Sequence, residues 1–375
     1  MVAPSEGWDW ITINSLASRT TSILLRNANG WDPILTGSNG KIIEIRSQKA
    51  LLYNDPTLGL FGDITELKPG DGMYKIKSEG SVVFNLGEDV TQISADALPQ
   101  TAKGYVWLGY PHLVDQPLSA LADALATTAE EGDMIIGKDN FAEFSNGEWV
   151  AADGFTFKAG KGYMYYTAGA GGKTVDWGTP VAVDDTNNPN PAKSLRSNAW
   201  NYDASQFADN MPIVATVQGV DFLDNYSIGA FVGDECRGEG RVAAGKYMFI
   251  NVAGKGGETV SFKLYNKVTG EYTNLGTTVS YGQKVGSVSK PLTLLAGTTG
   301  ISSVGADSEG AAISYSNGAV CVNGMPGALV TITNAAGSVV RTSSEAVVSL
   351  DGLANGVYIV TVSSGAQRIS KKILK

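Results

Sequence analysis

Short runs of alternating or continuous apolar residues, punctuated by Gly, Asn and Pro, make up most of this chain. Residues 211–217, 247–252 and 260–265 read as strands, and 226–238 as a strand running into a turn. Only one stretch has a helical period. Leu118, Leu121, Ala122 and Leu125 follow i, i+3, i+4, i+7, with Asp115 and Pro117 near the start, which predicts a short amphipathic helix. Toward the C-terminus, strands centre on 320–322, 329–333, 339–341 and 347–350, followed by 357–362. In that last strand Val357, Ile359 and Thr361 share one face, and Tyr358, Val360 and Val362 share the other.

The front of the chain repeats itself. Residues 7–14, Gly-Trp-Asp-Trp-Ile-Thr-Ile-Asn, align with 104–111, Gly-Tyr-Val-Trp-Leu-Gly-Tyr-Pro, and 68–74 align with 158–164 around a Gly-x-Gly pair. Trp10 and Trp107 stand at equivalent positions. From each Trp to the first Gly of the pair is 60 residues in one copy and 53 in the other, so the first carries a longer loop. Each copy reads as strand, helix, short strands, a Gly-x-Gly turn and an aromatic strand. The turns open strands rather than helices and lack a G-K-[ST] continuation, so they are turns that need positive φ rather than phosphate loops.

The expected architecture is mainly β and multi-modular. A duplicated small α+β module occupies 1–178, with copies over about 7–78 and 104–168. A linker (179–198) rich in Asp, Asn and Pro leads to a β-sandwich domain over 199–296. A second linker, 297–310, precedes an Ig-like β-sandwich over 311–375. Forty-six glycines and only 17% charged residues agree with short strands and tight turns.

Net charge is −9, which makes the whole chain a poor binder of nucleic acid or anionic membrane. The charge is uneven. Residues 306–375 carry a net +1 and the remainder −10, and four of the five basic residues of that end fall within 368–375. Cys236 and Cys321 lie in different expected domains, so both read as isolated thiols and not as a disulfide framework. No apolar run reaches membrane-spanning length.

The end of the chain carries a resemblance. Leu350-Asp351-Gly352-Leu353-Ala354-Asn355-Gly356-Val357-Tyr358 enters a strand, and Ser370-Lys371-Lys372-Ile373-Leu374-Lys375 forms a basic last one. The pattern resembles the C-terminal sorting domain of proteins exported by the type IX secretion system of Bacteroidetes, over roughly 306–375. Gly352, Gly356, Tyr358, Lys371, Lys372 and Lys375 fall on the family's motif positions. An Asn-Pro near the domain start, common in the family, is absent here. The resemblance implies passage through the periplasm, recognition by the outer-membrane machinery, and attachment at the cell surface. Residues 1–7 lack the features of a secretory signal, so the chain is expected to be the C-terminal portion of a longer precursor. The duplicated module resembles one found upstream of such sorting domains, and 230–238 with 262–265 resemble a recurrent secreted Bacteroidetes β-domain.

Little in the sequence points to catalysis. His112 is the one histidine, which removes most Ser-His-Asp and Cys-His chemistry and multi-histidine metal sites, and it reads as a turn residue. Cys236, beside Arg237 but after an apolar strand, reads as structural. No cofactor is expected. The front modules read instead as adhesive or carbohydrate-binding, with a glycan or host surface as ligand and Trp31, Trp149, Tyr165 and Tyr166 as its contacts. The alternative is a structural spacer supporting an upstream secreted protease or glycosidase. Aromatic residues exposed in a groove would mark a binder; buried ones would mark a spacer. Removal of residues 366–375 is expected to leave the chain in the periplasm, read by cell fractionation; normal surface display of that truncation would contradict the sorting assignment.

Overall fold

The computed structural model describes residues 6–13, 15–17, 23–27, 30–31, 41–80, 82, 90–92, 94, 98–181, 199–220, 222–296, 312–316, 318–323, 325, 327–334, 337–364 and 367–375. The structure is mainly β. Both expected linkers fall largely outside these residues, as does the stretch 32–40 of the first copy.

Two antiparallel five-stranded sheets form the front. The first runs in the order Gly7–Thr12, Met73–Glu79, Lys41–Arg46, Leu51–Asp55, Gly59–Gly62. The second runs Ala102–Gly109, Gly162–Gly171, Met134–Ile136, Phe141–Ser145, Glu148–Ala151, the same topology. Ile11 lies opposite Tyr74 and Leu108 opposite Tyr163. Each tyrosine hydroxyl accepts a backbone N–H at 2.8 Å, from Lys68 and Lys158 respectively. The structure therefore equates Tyr74 with Tyr163, one residue away from the alignment read around Gly-x-Gly. The reason is that Lys158 precedes its tyrosine by five residues and Lys68 by six.

Strand alternation sends each sheet's two faces to different cores. Ile11, Ile45, Leu52, Tyr74 and Ile76 fill a core within the first copy. In the second, Leu108, Tyr110, Ile135, Tyr163 and Tyr165 meet Leu118, Leu121 and Leu125 of the helix Leu118–Ala126. That helix is built of strong helix formers, begins after the extended Pro117, and ends where the Thr127 N–H returns to the Ala124 carbonyl. Asp115 does not cap it; its carboxylate bonds the Ala159 N–H and Lys158 instead.

Residues 199–296 contribute one seven-stranded sheet. Its order is Tyr272–Ser280, Thr259–Asn266, Tyr226–Val232, Glu235–Ala243, Tyr247–Gly254, Asp209–Gln218, Leu292–Leu295, with only the last pair parallel. The two edge strands approach each other, so the sheet curls into sandwich-like layers around Ile213, Ile228, Ile250, Phe262, Leu264 and Leu275. At the C-terminus a three-stranded sheet (Ala312–Ser316, Ala319–Asn323, Val347–Ser349) faces a four-stranded one. The latter runs Val339–Ser343, Leu329–Asn334, Val357–Ser364, Gln367–Leu374. Tyr358, Val360 and Val362 turn inward to this sandwich's core, leaving Ile359 at the surface.

The outward faces of the two front sheets are not solvent faces. Trp10 and Met73 of the first, and Met134, Ile136, Phe141 and Met164 of the second, share a core with Val214, Tyr247 and Phe249 of the seven-stranded sheet and with Val288 of the loop before its last strand. Phe141 and Phe249 stack at 4.7 Å between centroids. At the centre Lys75, 1% exposed, lies between two indoles, with Nζ 4.6 Å from the Trp10 ring and 4.5 Å from that of Trp107. It closes an ion pair to Asp209 at 2.5 Å. Burial holds the Lys75 ammonium below the usual lysine range, against the pull of Asp209.

The chain entering the seven-stranded sheet is gripped along its length. Trp10 Nε1 donates to the Ala208 carbonyl at 2.8 Å and Lys138 Nζ to that of Phe207, while Asn251 Nδ2, from within the seven-stranded sheet, reaches the Gly137 and Lys138 carbonyls of the second copy at 3.1 Å. The glycine turns are part of this contact. A Cβ on Gly72 would stand 2.2 Å from the Trp107 carbonyl oxygen, and one on Gly162 2.1 Å from Met73 Cγ. Gly72 also has φ +81°, whereas Gly162 is required by close approach alone.

Trp10→Ala should cost about 3–5 kcal/mol, the usual range for a buried tryptophan, in a chemical denaturation series; a loss under about 1 kcal/mol would contradict the shared core. Burial and the neighbouring Lys75 push Lys138 down to about 8. A lysine whose folded pKa is depressed penalises the fold while charged, and the penalty fades as pH rises from the folded pKa toward the unfolded one. The melting-temperature difference between Lys138→Met and wild type should therefore fall as pH rises from about 7.5 to 10. A difference that grows over this range would reverse the assignment.

Candidate functional site

The ligand contacts expected from the sequence do not gather on one surface. Tyr165 is 1% exposed and its hydroxyl donates to Asp133 at 2.8 Å, so it is a core residue; this corrects its expected ligand role. The cause is register: Tyr165 lies opposite Val106 and Ile135, both of the inner face of its sheet. Tyr166, on the opposite face, is half-buried against Tyr105 (5.0 Å) under the Lys284 ammonium (4.5 Å), in the shared core. Trp149 is half-buried against Phe144 (5.4 Å) and Tyr165 (6.4 Å), with its indole nitrogen turned inside. Both rings pack against other aromatic residues. Trp31 pairs with Arg26 in a two-stranded ladder, and its side chain lies outside the described residues.

An aromatic cluster that sequence reasoning missed lies on the seven-stranded sheet. Trp200 packs edge-on to Phe231 (5.6 Å), Tyr265 (6.2 Å) and Tyr272 (5.3 Å), and Tyr265 lies 4.8 Å from Tyr272. Trp200 Nε1 donates to Ser227 Oγ, which is bonded in turn to Glu239. Tyr272 is 56% exposed, and Phe222 and Val268 stand exposed in the loops at the same end of the sheet. The available signal was Tyr265 and Tyr272 ending and beginning adjacent strands, which places them side by side on one face.

Two groups weighed for chemistry are committed to structure. His112 is buried, 3.1 Å from the Trp177 carbonyl and edge-on to Tyr110. Burial pushes the Cys236 thiol up to about 11, and its Sγ faces the Gly238 carbonyl. Both cysteines are free.

Of the C-terminal motif residues, Gly352, Gly356, Tyr358 and Lys375 come together around one turn, while Lys371 and Lys372 do not join them. Tyr358, buried, donates its hydroxyl to the Ala354 carbonyl at 2.7 Å and so closes the preceding turn. Gly352 shapes that turn with φ +83°. Gly356 pairs with Lys375 through two backbone hydrogen bonds of 3.0 and 3.1 Å. Lys375 Nζ reaches the Leu350 and Leu353 carbonyls at 2.8 and 2.5 Å, and Lys371 Nζ that of Ile313 at 2.8 Å. Burial holds the Lys371 ammonium below the usual lysine range. Lys372 is exposed.

Residues 313–375 match the family model described as a secretion system C-terminal sorting domain. The C-terminal domain is a type IX sorting domain. It marks the chain for export to the cell surface or beyond, and implies an encounter with the secretion machinery. Among the described residues no helix is long and apolar enough to cross a membrane. No curated protein matches the chain. Among solved structures, an amphioxus IgVJ-C2 molecule is similar at 10% identity, over 44% of this chain and 95% of that one, with a TM-score of 0.13. The BSP domain of a biofilm associated protein is similar at 10% identity, over 98% of this chain and 56% of that one, with a TM-score of 0.20. At such TM-scores these likenesses carry no argument.

Within the sorting domain, Lys375→Ala should cost about 1–2 kcal/mol, because two carbonyls lose a charged donor. Lys372→Ala should stay within about 0.5 kcal/mol, as an exposed substitution does. Urea denaturation of both variants checks this, and an equal cost for the two would contradict the division of roles.

Proposed function

We propose that this chain is the non-catalytic, surface-displayed part of an exported protein, in which the front modules and the seven-stranded domain act as one rigid spacer. The observation that carries this reading is the Trp10–Lys75–Trp107 stack with its Asp209 pair. It uses the aromatic residues of the repeat to join three sheets, where a binding module would present them to solvent. His112 and Cys236, the residues closest to catalytic types, are both held in packing roles. A spacer of this kind would hold an upstream secreted enzyme or receptor clear of the membrane.

A second reading, adhesion through a glycan, is favoured by one observation: the exposed Tyr272 beside the half-buried Trp200 and Tyr265. Tyrosine and tryptophan faces stack on the C–H faces of sugar rings, and Tyr272 is open enough to do so.

Two measurements separate the readings. Unfolding of the full chain followed by tryptophan fluorescence should show a single transition for the front modules and the seven-stranded domain; separate transitions would count against the spacer. A glycan array should be silent for the spacer. Binding abolished by Tyr272→Ala would establish the adhesive reading, and binding that persists in that variant would place any ligand elsewhere.

A further inference from the structure

The register of the sorting domain gives its three terminal lysines different work. Neighbouring residues on a strand point to opposite faces. Lys371 lies opposite Val360, on the inner side, and its Nζ holds the Ile313 carbonyl. Lys375 holds the turn carbonyls of Leu350 and Leu353. Lys372 lies opposite Ile359, on the outer side.

From Lys372 one row of side chains crosses all four strands: Lys372, Ile359, Thr333, Val339. The next row is Ser370, Thr361, Thr331 and Thr342, and beyond it Leu329 lies on the same face. Ile359 is 45% exposed, Leu329 51% and Val339 59%. Thr361 and Ser370 bond each other at 2.9 Å, which ties the last strand to its neighbour on this face. The result is a broad face of short, β-branched side chains with exposed apolar residues and an exposed cation on the terminal strand. Ile359 and Val339 flank Thr333 in one row and Leu329 stands two rows away, so exposed apolar residues are spread across this whole open sheet face.

Charge indicates the kind of partner. The tail region is net positive while the rest of the chain carries −10, so an acidic surface attracts this end and repels the remainder. Two of the three lysines already spend their ammonium groups on carbonyls of the domain itself.

We propose that the outer face of the four-stranded sheet is the surface by which the secretion machinery takes hold of the folded tail. Lys372 meets a carboxylate of the partner, and Ile359, Val339 and Leu329 are covered by its apolar residues. Lys371 and Lys375 act at a distance, by holding the sheet in shape. This inference rests on the sorting-domain reading.

The test uses the full chain in a Bacteroidetes host with an active type IX system, read by fractionation into periplasm and surface. Three measurements accompany it: thermal unfolding, light scattering for oligomeric state, and a variant lacking 312–375. Lys372→Glu should unfold as wild type does, yet accumulate in the periplasm with loss of surface protein, and Lys372→Arg should restore display. A second variant, Ile359→Thr with Val339→Thr, keeps β-branched residues on the strands and should show the same loss. Wild-type display of folded Lys372→Glu, with the 312–375 deletion still retained inside, overturns the docking face and leaves the sorting assignment standing. Display of the deletion itself overturns the sorting assignment. Normal display of Lys372→Glu with a dimer lost in light scattering overturns the proposal by assigning the face to a second copy of the chain.

Discussion

One buried cation organises the front of this protein. Lys75 sits on a central strand of the first sheet, its ammonium between the Trp10 and Trp107 rings and against Asp209 of the third unit. A charged amine at this depth is costly unless every neighbour compensates it. Two indole faces and one carboxylate do so here, and each comes from a different strand. The compensation is assembled only when all three units are docked, and it is partial, since burial still holds the ammonium below the usual lysine range. Where the modules separate, water solvates the ammonium again, so the pairing offsets a cost that docking itself imposes.

The glycine turns follow from the same contact. Gly72 lets the Trp107 backbone approach, and Gly162 makes room for Met73. Each copy thus supplies a bare position into which the other copy packs. The entry to the seven-stranded sheet is then gripped by Trp10 and Lys138, and Asn251 of that sheet bonds back to the second copy. What begins as a duplicated module ends as a single interlocked body whose repeat-conferred aromatics face inward.

The C-terminal sandwich follows a different design. Its lysines and tyrosine tie their own turns and sheets through backbone carbonyls.

Much of this was legible in the sequence because it depends on local periodicity. Alternation placed the strands of the seven-stranded domain and of the tail, the heptad-like spacing of Leu118, Leu121 and Leu125 placed the helix, and the motif from Leu350 to Lys375 identified the sorting domain. Which residues serve a site was not legible. Tyr165 and Tyr166 are adjacent and chemically alike, yet one enters a module core and the other a core between modules, because a strand sends neighbours to opposite faces. Lys371 and Lys372 differ for the same reason. The roles of Lys75 and Trp200 depended on partners far along the chain, and no local pattern encodes those. Local chemistry alone determined the elements and the export address. Only the tertiary structure decided which face of each strand is covered, because burial depends on what the whole chain brings against it.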